Sequence, residues 1–170
     1  MYYLMNQKLG GTIIGATNIK NMKEGYYIYN NEAIASCLIL SLLQKKKKID
    51  LARILLLLPF FLDDRTVAAL NRNKNVKSSL EDFIYNNPKL FISFNKRFVE
   101  LLPVTINSIG ILEKYKFIFV AKVITLNNPV NEFGDLGERF SKIQKSIDIF
   151  LNLTNNYSTI ELYKILKIEL

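Results

Sequence analysis

The chain has 170 residues, 49% of them hydrophobic, and a net charge of +8, which suits one compact domain whose core needs neither metal nor crosslink. The single cysteine, Cys37, excludes an internal disulfide. The absence of histidine excludes Ser-His-Asp and Cys-His nucleophiles and imidazole metal sites, so no cofactor is expected.

In chain order, the first 28 residues are weakly patterned and read as an N-terminal arm, with residues 29–170 forming a single helical domain. The start, Met1-Tyr2-Tyr3-Leu4, has no basic segment leading into an apolar one. No export signal is expected, and the expected compartment is the cytoplasm. Gly10, Gly11 and Gly15 surround Thr12-Ile13-Ile14, but the Lys-Ser/Thr step that a phosphate loop requires does not follow them. Tyr26-Tyr27-Ile28-Tyr29 suits a short strand or extended arm.

Asparagine at Asn30 or Asn31 predicts a helix start, followed by Ile34, Cys37, Leu38 and Leu42 at helical spacing. Cys37, in an apolar run, reads as a small buried hydrophobe. The helix leads into Lys45, Lys46, Lys47 and Lys48. Cations are favoured at a helix C-terminus, and the same run could contact phosphates or an acidic partner. Asp50 predicts the cap of a second helix, apolar nearly all round from Leu51 to Leu58 apart from Arg53. The apolar segment is about fourteen residues against the roughly 20 that a bilayer span needs, so no membrane association is expected. Pro59 predicts a break, and Asp63-Asp64 the cap of a short helix through Val67, Ala68 and Leu70.

Ser78 with Glu81 has capping-box spacing. Helices are expected over 79–86, 89–101 and 104–114, separated by Asn86-Asn87-Pro88 and Leu102-Pro103, the last with Ile106, Ile109 and Leu112 inward. Residues 117–124 are β-branched and aromatic and read as a strand. The order helix, helix, helix, strand over 79–124 is compatible with a winged helix-turn-helix, or with the end of a helical bundle. In the winged arrangement Thr105, Asn107, Ser108, Lys114 and Lys116 face a groove. Beyond the turn Asn127-Asn128-Pro129, Asp135 with Glu138 offers a cap for an amphipathic helix over Phe140, Ile143, Ile147, Phe150 and Leu151. Ser158 with Glu161 caps a last helix over Leu162, Tyr163 and Leu166, and Ile168-Glu169-Leu170 suits a terminal strand. The fold class is therefore mainly α, a compact helical domain with a small β element.

The carboxylate pairs Asp63-Asp64 and Glu81-Asp82 are sequence neighbours, which point to different sides of a helix and do not make an acid/base pair. They sit where helix N-termini favour negative charge. No catalytic constellation emerges, and the function classes left are binding classes. The net positive charge favours nucleic acid or acidic partners, although a Lys-, Asn- and Ile-rich composition accounts for it as well.

Four stretches carry a resemblance: Tyr29-Asn30-Asn31-Glu32-Ala33; Leu57-Leu58-Pro59-Phe60-Phe61-Leu62 with Arg65-Thr66; Phe94-Asn95-Lys96-Arg97-Phe98 with Leu101-Leu102-Pro103-Val104-Thr105-Ile106-Asn107 and Ile111-Leu112; and Leu136-Gly137, Arg139-Phe140 and Glu161-Leu162-Tyr163. In order and spacing the chain resembles the middle component of bacterial three-component ABC-ATPase systems, including Lamassu-type defence systems. Where relatives often carry a histidine before the threonine, this sequence has Asp63-Asp64. The resemblance implies a non-enzymatic adaptor coupling an SMC- or Rad50-like ABC ATPase to an effector, often a nuclease, with DNA reached through the complex. The alternative is a stand-alone basic winged-helix DNA-binding protein. Under either reading the candidate contacts are Lys45, Lys46, Lys47, Lys48, Thr105, Asn107, Ser108, Lys114 and Lys116.

Overall fold

The structure is a computed structural model that describes residues 32–73, 79–129 and 133–169. The expected arm over 1–28, the glycine turn, the Asn30/Asn31 cap and Ser78 lie outside the described residues. The elements are helix α1 (Glu32–Lys45), strand β1 (Lys48–Asp50), helices α2 (Leu51–Leu55), α3 (Leu57–Phe61), α4 (Asp64–Arg72), α5 (Leu80–Asn86), α6 (Pro88–Phe91) and α7 (Phe94–Lys114), strands β2 (Ile118–Phe119) and β3 (Val123–Leu126), and helices α8 (Gly137–Thr154) and α9 (Thr159–Ile165). The mainly helical reading with a small β element holds.

Helix α1 is central. Ala35, Leu38, Ile39, Leu40, Leu42 and Leu43 are all buried, so the helix is covered on most of its circumference, by α7, α8 and β3. The apolar run after it folds as two short helices. The break falls at Leu56, whose N–H reaches back three residues to the Arg53 carbonyl (3.2 Å). Pro59 then sits in the first turn of α3, where its missing N–H costs least. That places Leu56, Leu57, Leu58, Phe60 and Phe61 in the core. The ring of Phe60 meets Phe94 and Phe150 edge-on at 4.8 and 5.0 Å, and Phe61 meets Phe150 at 5.1 Å, the edge-to-face geometry that aromatic quadrupoles favour.

Two boundaries differ from the sequence reading. The capping box of α5 is made by Ser79 and Asp82, one residue later than expected; Ser79 Oγ accepts the Asp82 N–H at 3.0 Å. This frame places Leu80 and Phe83 in the core, and burial of that pair outweighs the choice between two equivalent capping spacings. Residues 94–114 form one continuous helix with Pro103 inside it, so the break at Leu102-Pro103 is absent and helices 89–101 and 104–114 do not exist as a pair. Proline in a helix interior costs one hydrogen bond, to the carbonyl four residues earlier. Here Pro103 lies on the exposed face, and that carbonyl belongs to Val99, which is open to solvent. A turn between two helices at this point, which a winged helix-turn-helix over 79–124 requires, is therefore not formed.

The sheet is antiparallel in the order β1-β3-β2. Lys48 pairs with Thr125, Ile49 with Ile124, Asp50 with Val123, Ile118 with Leu126 and Phe119 with Thr125. The expected single strand over 117–124 is instead a hairpin turning at residues 120–122, and the lysine run, expected between two helices, ends in the first residue of β1. Ile49, Ile124 and Ile118 are buried on the inner face; Lys48, Thr125 and Phe119 form a row on the outer face. No terminal strand forms among the described residues: Ile168 closes the cap of α9, its N–H on the Tyr163 carbonyl at 3.0 Å.

Candidate functional site

The nine sequence-predicted contact residues do not form one surface. Thr105 and Ser108 lie on the buried side of α7 with Phe98, Leu101, Ile109 and Leu112. Their hydroxyls donate back to the carbonyls of Leu101 (2.9 Å) and Val104 (2.7 Å), and Ser108 also reaches the Glu32 carbonyl at 3.3 Å. A hydroxyl that bonds within its own helix can be buried at small cost, so these two are α1–α7 packing residues and not groove contacts. Asn107 is exposed and donates to Glu32 at 3.2 Å. Ile106, expected inward, is 56% exposed, because the continuous helix fixes the phase that Phe94 and Phe98 set.

The four consecutive lysines divide in two. Lys45, at the α1 C-terminus, pairs with Asp148 of α8 at 2.8 Å, and Lys46 donates to Asn155 at 3.0 Å. Both tie α1 to the end of α8. Lys47 and Lys48 leave the helix for the sheet and have no side-chain partner among the described residues. The Lys47 carbonyl accepts the Leu126 N–H at 3.1 Å, so the chain carries Lys47 along one side of the end of β3. On the other side lies Lys116, whose carbonyl accepts the side-chain N–H of Asn128 at 2.9 Å. Lys122 stands at the opposite end, in the hairpin turn, its carbonyl bonded by the Leu51 N–H at 3.1 Å. The sheet thus brings together Lys47, Lys48 and Lys116 from the sequence set, and adds Lys122 and Phe119. Phe119 is 58% exposed. A single strand over residues 117–124 gives Phe119 no particular address; the alternation of a hairpin, which turns every second side chain outward, is the signal that marks it.

Lys116 stands in the left-handed region at φ 61°. Its N–H bonds the Glu113 carbonyl (2.9 Å) and the Phe117 N–H bonds the Leu112 carbonyl (3.0 Å), the paired bonds of a Schellman cap. This cap turns the chain from α7 into β2.

A second polar cluster is interior and structural. Arg97 of α7 donates to the carbonyls of Leu90 (2.8 Å) and Pro59 (3.4 Å) and to Ser93 Oγ (3.0 Å), its guanidinium 5.4 Å from the Phe94 ring centre. Asp63 lies 3.7 Å from Arg97 and accepts from Arg65 and Thr66 at 3.1 and 2.9 Å. Burial raises the Asp63 carboxyl, but the hydrogen bonds from Arg65 and Thr66 and the Arg97 charge outweigh it, and its pKa lies below the usual carboxylate range. Arg53 likewise holds the carbonyls of Thr154 and Tyr157 at the end of α8. Burial pushes the Cys37 thiol up, away from the thiolate that nucleophilic chemistry uses. No group of three or more Asp, Glu or Cys side chains is placed to hold a metal ion among the described residues, and no helix among them is long and apolar enough to cross a membrane.

Apolar surface also remains open on α7, where Val99, Pro103 and Ile106 follow one another on its outer face. Val99 is 53% exposed. The stretch from Phe94 to Asn107 therefore has two sides, one locked into the core and one open.

Residues 20–170 match the model of a family described as the ABC-three component (ABC-3C) system Middle Component 3. No curated protein and no solved structure matches the chain.

Proposed function

The chain belongs to the ABC-three component system Middle Component 3 family, and on that premise we propose that it works without catalysis, as the adaptor between the other components of its system. In this reading it couples an SMC- or Rad50-like ABC ATPase to an effector, often a nuclease, in a cytoplasmic Lamassu-type complex directed against phage or plasmids. The observation that carries the reading is the family match, which takes in every described element. Support comes from the surface. The open apolar side of α7 is what a subunit that works inside an assembly leaves uncovered, and the ion pairs Asp63–Arg97 and Lys45–Asp148 tie one element to another.

A second reading, a basic DNA-binding protein that acts alone, is favoured by the lysines about the sheet, which have no side-chain partner among the described residues. The two separate on purification. The adaptor reading expects a stoichiometric complex when the chain is co-expressed with the products of its neighbouring genes, one of them a large ATPase, and loss of that complex in Val99→Asp/Ile106→Asp while the melting temperature is kept. Neighbouring genes that encode no such ATPase, or proteins that elute separately, would refute it.

A further inference from the structure

The outer face of the small sheet carries Lys48 and the exposed ring of Phe119, with further lysines at its two ends. Lys48, Thr125 and Phe119 stand in one row across it, about 10 Å wide at the usual strand spacing. Lys47 and Lys116 flank one end and Lys122 the other, none of them with a side-chain partner among the described residues. The carboxylates at hand are Asp50, which accepts from Thr159 Oγ1 at 2.8 Å, and Glu113 in the last turn of α7. The uncovered apolar surface on the sheet itself is Phe119 and Val123, with exposed Tyr115 beside Lys116 at one end; this is too small to seat the hydrophobic anchors of a peptide, and its rim is cationic.

We propose that this face binds single-stranded nucleic acid, with Phe119 stacked on an unpaired base and Lys47, Lys48 and Lys116 on the neighbouring phosphates. The charge calls for a polyanion, and the ring calls for a polyanion that also offers flat aromatic faces. A duplex keeps those faces inside its stack, so a ring at a sheet surface gains nothing from it. The proposal goes beyond the adaptor reading and fails separately from it, because binding is read on the purified chain without its partners.

The probe is a fluorescein-labelled oligothymidylate of about fifteen nucleotides, followed by anisotropy on the full-length chain at low salt. Saturable binding is expected, weakening as salt rises with a slope set by the phosphates contacted. Phe119→Ala should weaken it about tenfold, as loss of one stacked base does, while Phe119→Tyr, which keeps a ring, should bind like the parent. Lys47→Glu/Lys48→Glu should abolish binding and leave the circular-dichroism melt in place. Absence of saturable binding overturns the proposal. So does an unchanged affinity in Phe119→Ala, which would leave surface charge alone. A duplex of the same length that binds as tightly overturns the single-strand preference, and an oligoglutamate that displaces the probe more readily than unlabelled oligothymidylate assigns the face to an acidic protein.

Discussion

Lys116 and Lys167 do the same unusual thing at two helix ends. Both sit in the left-handed region, at φ 61° and 53°, in the position where a Schellman cap favours glycine. In α9 the Lys167 N–H meets the Lys164 carbonyl at 3.1 Å and the Ile168 N–H the Tyr163 carbonyl at 3.0 Å, the same pair of bonds as at the end of α7. A side chain with a Cβ is strained there by roughly 1 kcal/mol, so Lys116→Gly and Lys167→Gly are each expected to raise stability by about 0.5–1 kcal/mol, read as a higher urea midpoint at unchanged slope. A fall in midpoint would mean that the lysine side chains hold something the glycines cannot. Neither cap was legible in the sequence, because the glycine that announces such a cap is missing. Thr105 and Ser108 failed in the opposite direction. Their polarity suggests an outward address, yet a hydroxyl can be satisfied by the carbonyl of its own helix, and Thr154 does the same on Phe150 at 2.8 Å.

Elements were more legible than their joints. Helices α1, α8 and α9 follow the spacing of their apolar residues, and the Ser158–Glu161 box forms as expected. What the spacing could not give is the phase carried through Pro103, which depends on which side of α7 faces water. The clamp between Asp63 and Arg97 was likewise hidden, since its partners come from the corner between α3 and α4 and from α7. It makes a testable joint. The Asp63 carboxyl is held below its ordinary range by Arg65, Thr66 and Arg97 despite its burial. A lowered native pKa means that the unfolded chain binds the proton more tightly, so the stability this carboxylate contributes is present above about pH 4 and is lost as pH falls through the native value. Asp63→Asn should therefore lower the urea midpoint near neutral pH and flatten its decline in acid. An acid limb as steep in the variant as in the parent would place the sensitivity in other carboxylates.

At the scale of the molecule the question is what the net charge of +8 is for, and the lysine run answers it in part. From the sequence the four lysines are one feature, a helix end that could also bind. In the fold they are two. Lys45 and Lys46 reach Asp148 and Asn155 across a sequence distance of more than a hundred residues and fasten the end of α1 to α8, whereas Lys47 and Lys48 point their charge at nothing described. Sequence adjacency hid this division because the chain changes from helix to strand between them. Lys45→Ala/Lys46→Ala should lower the melting temperature slightly, since exposed pairs of this kind contribute under about 1 kcal/mol each, and should leave binding of anions to the sheet nearly unchanged. Lys47→Ala/Lys48→Ala should leave the melt in place, or raise it as like charges part, and remove the anion affinity. Scanning calorimetry beside anisotropy reads both effects on the same preparations. If the two double variants behave alike in both measurements, the run acts as one diffuse charge and the fold does not divide its work.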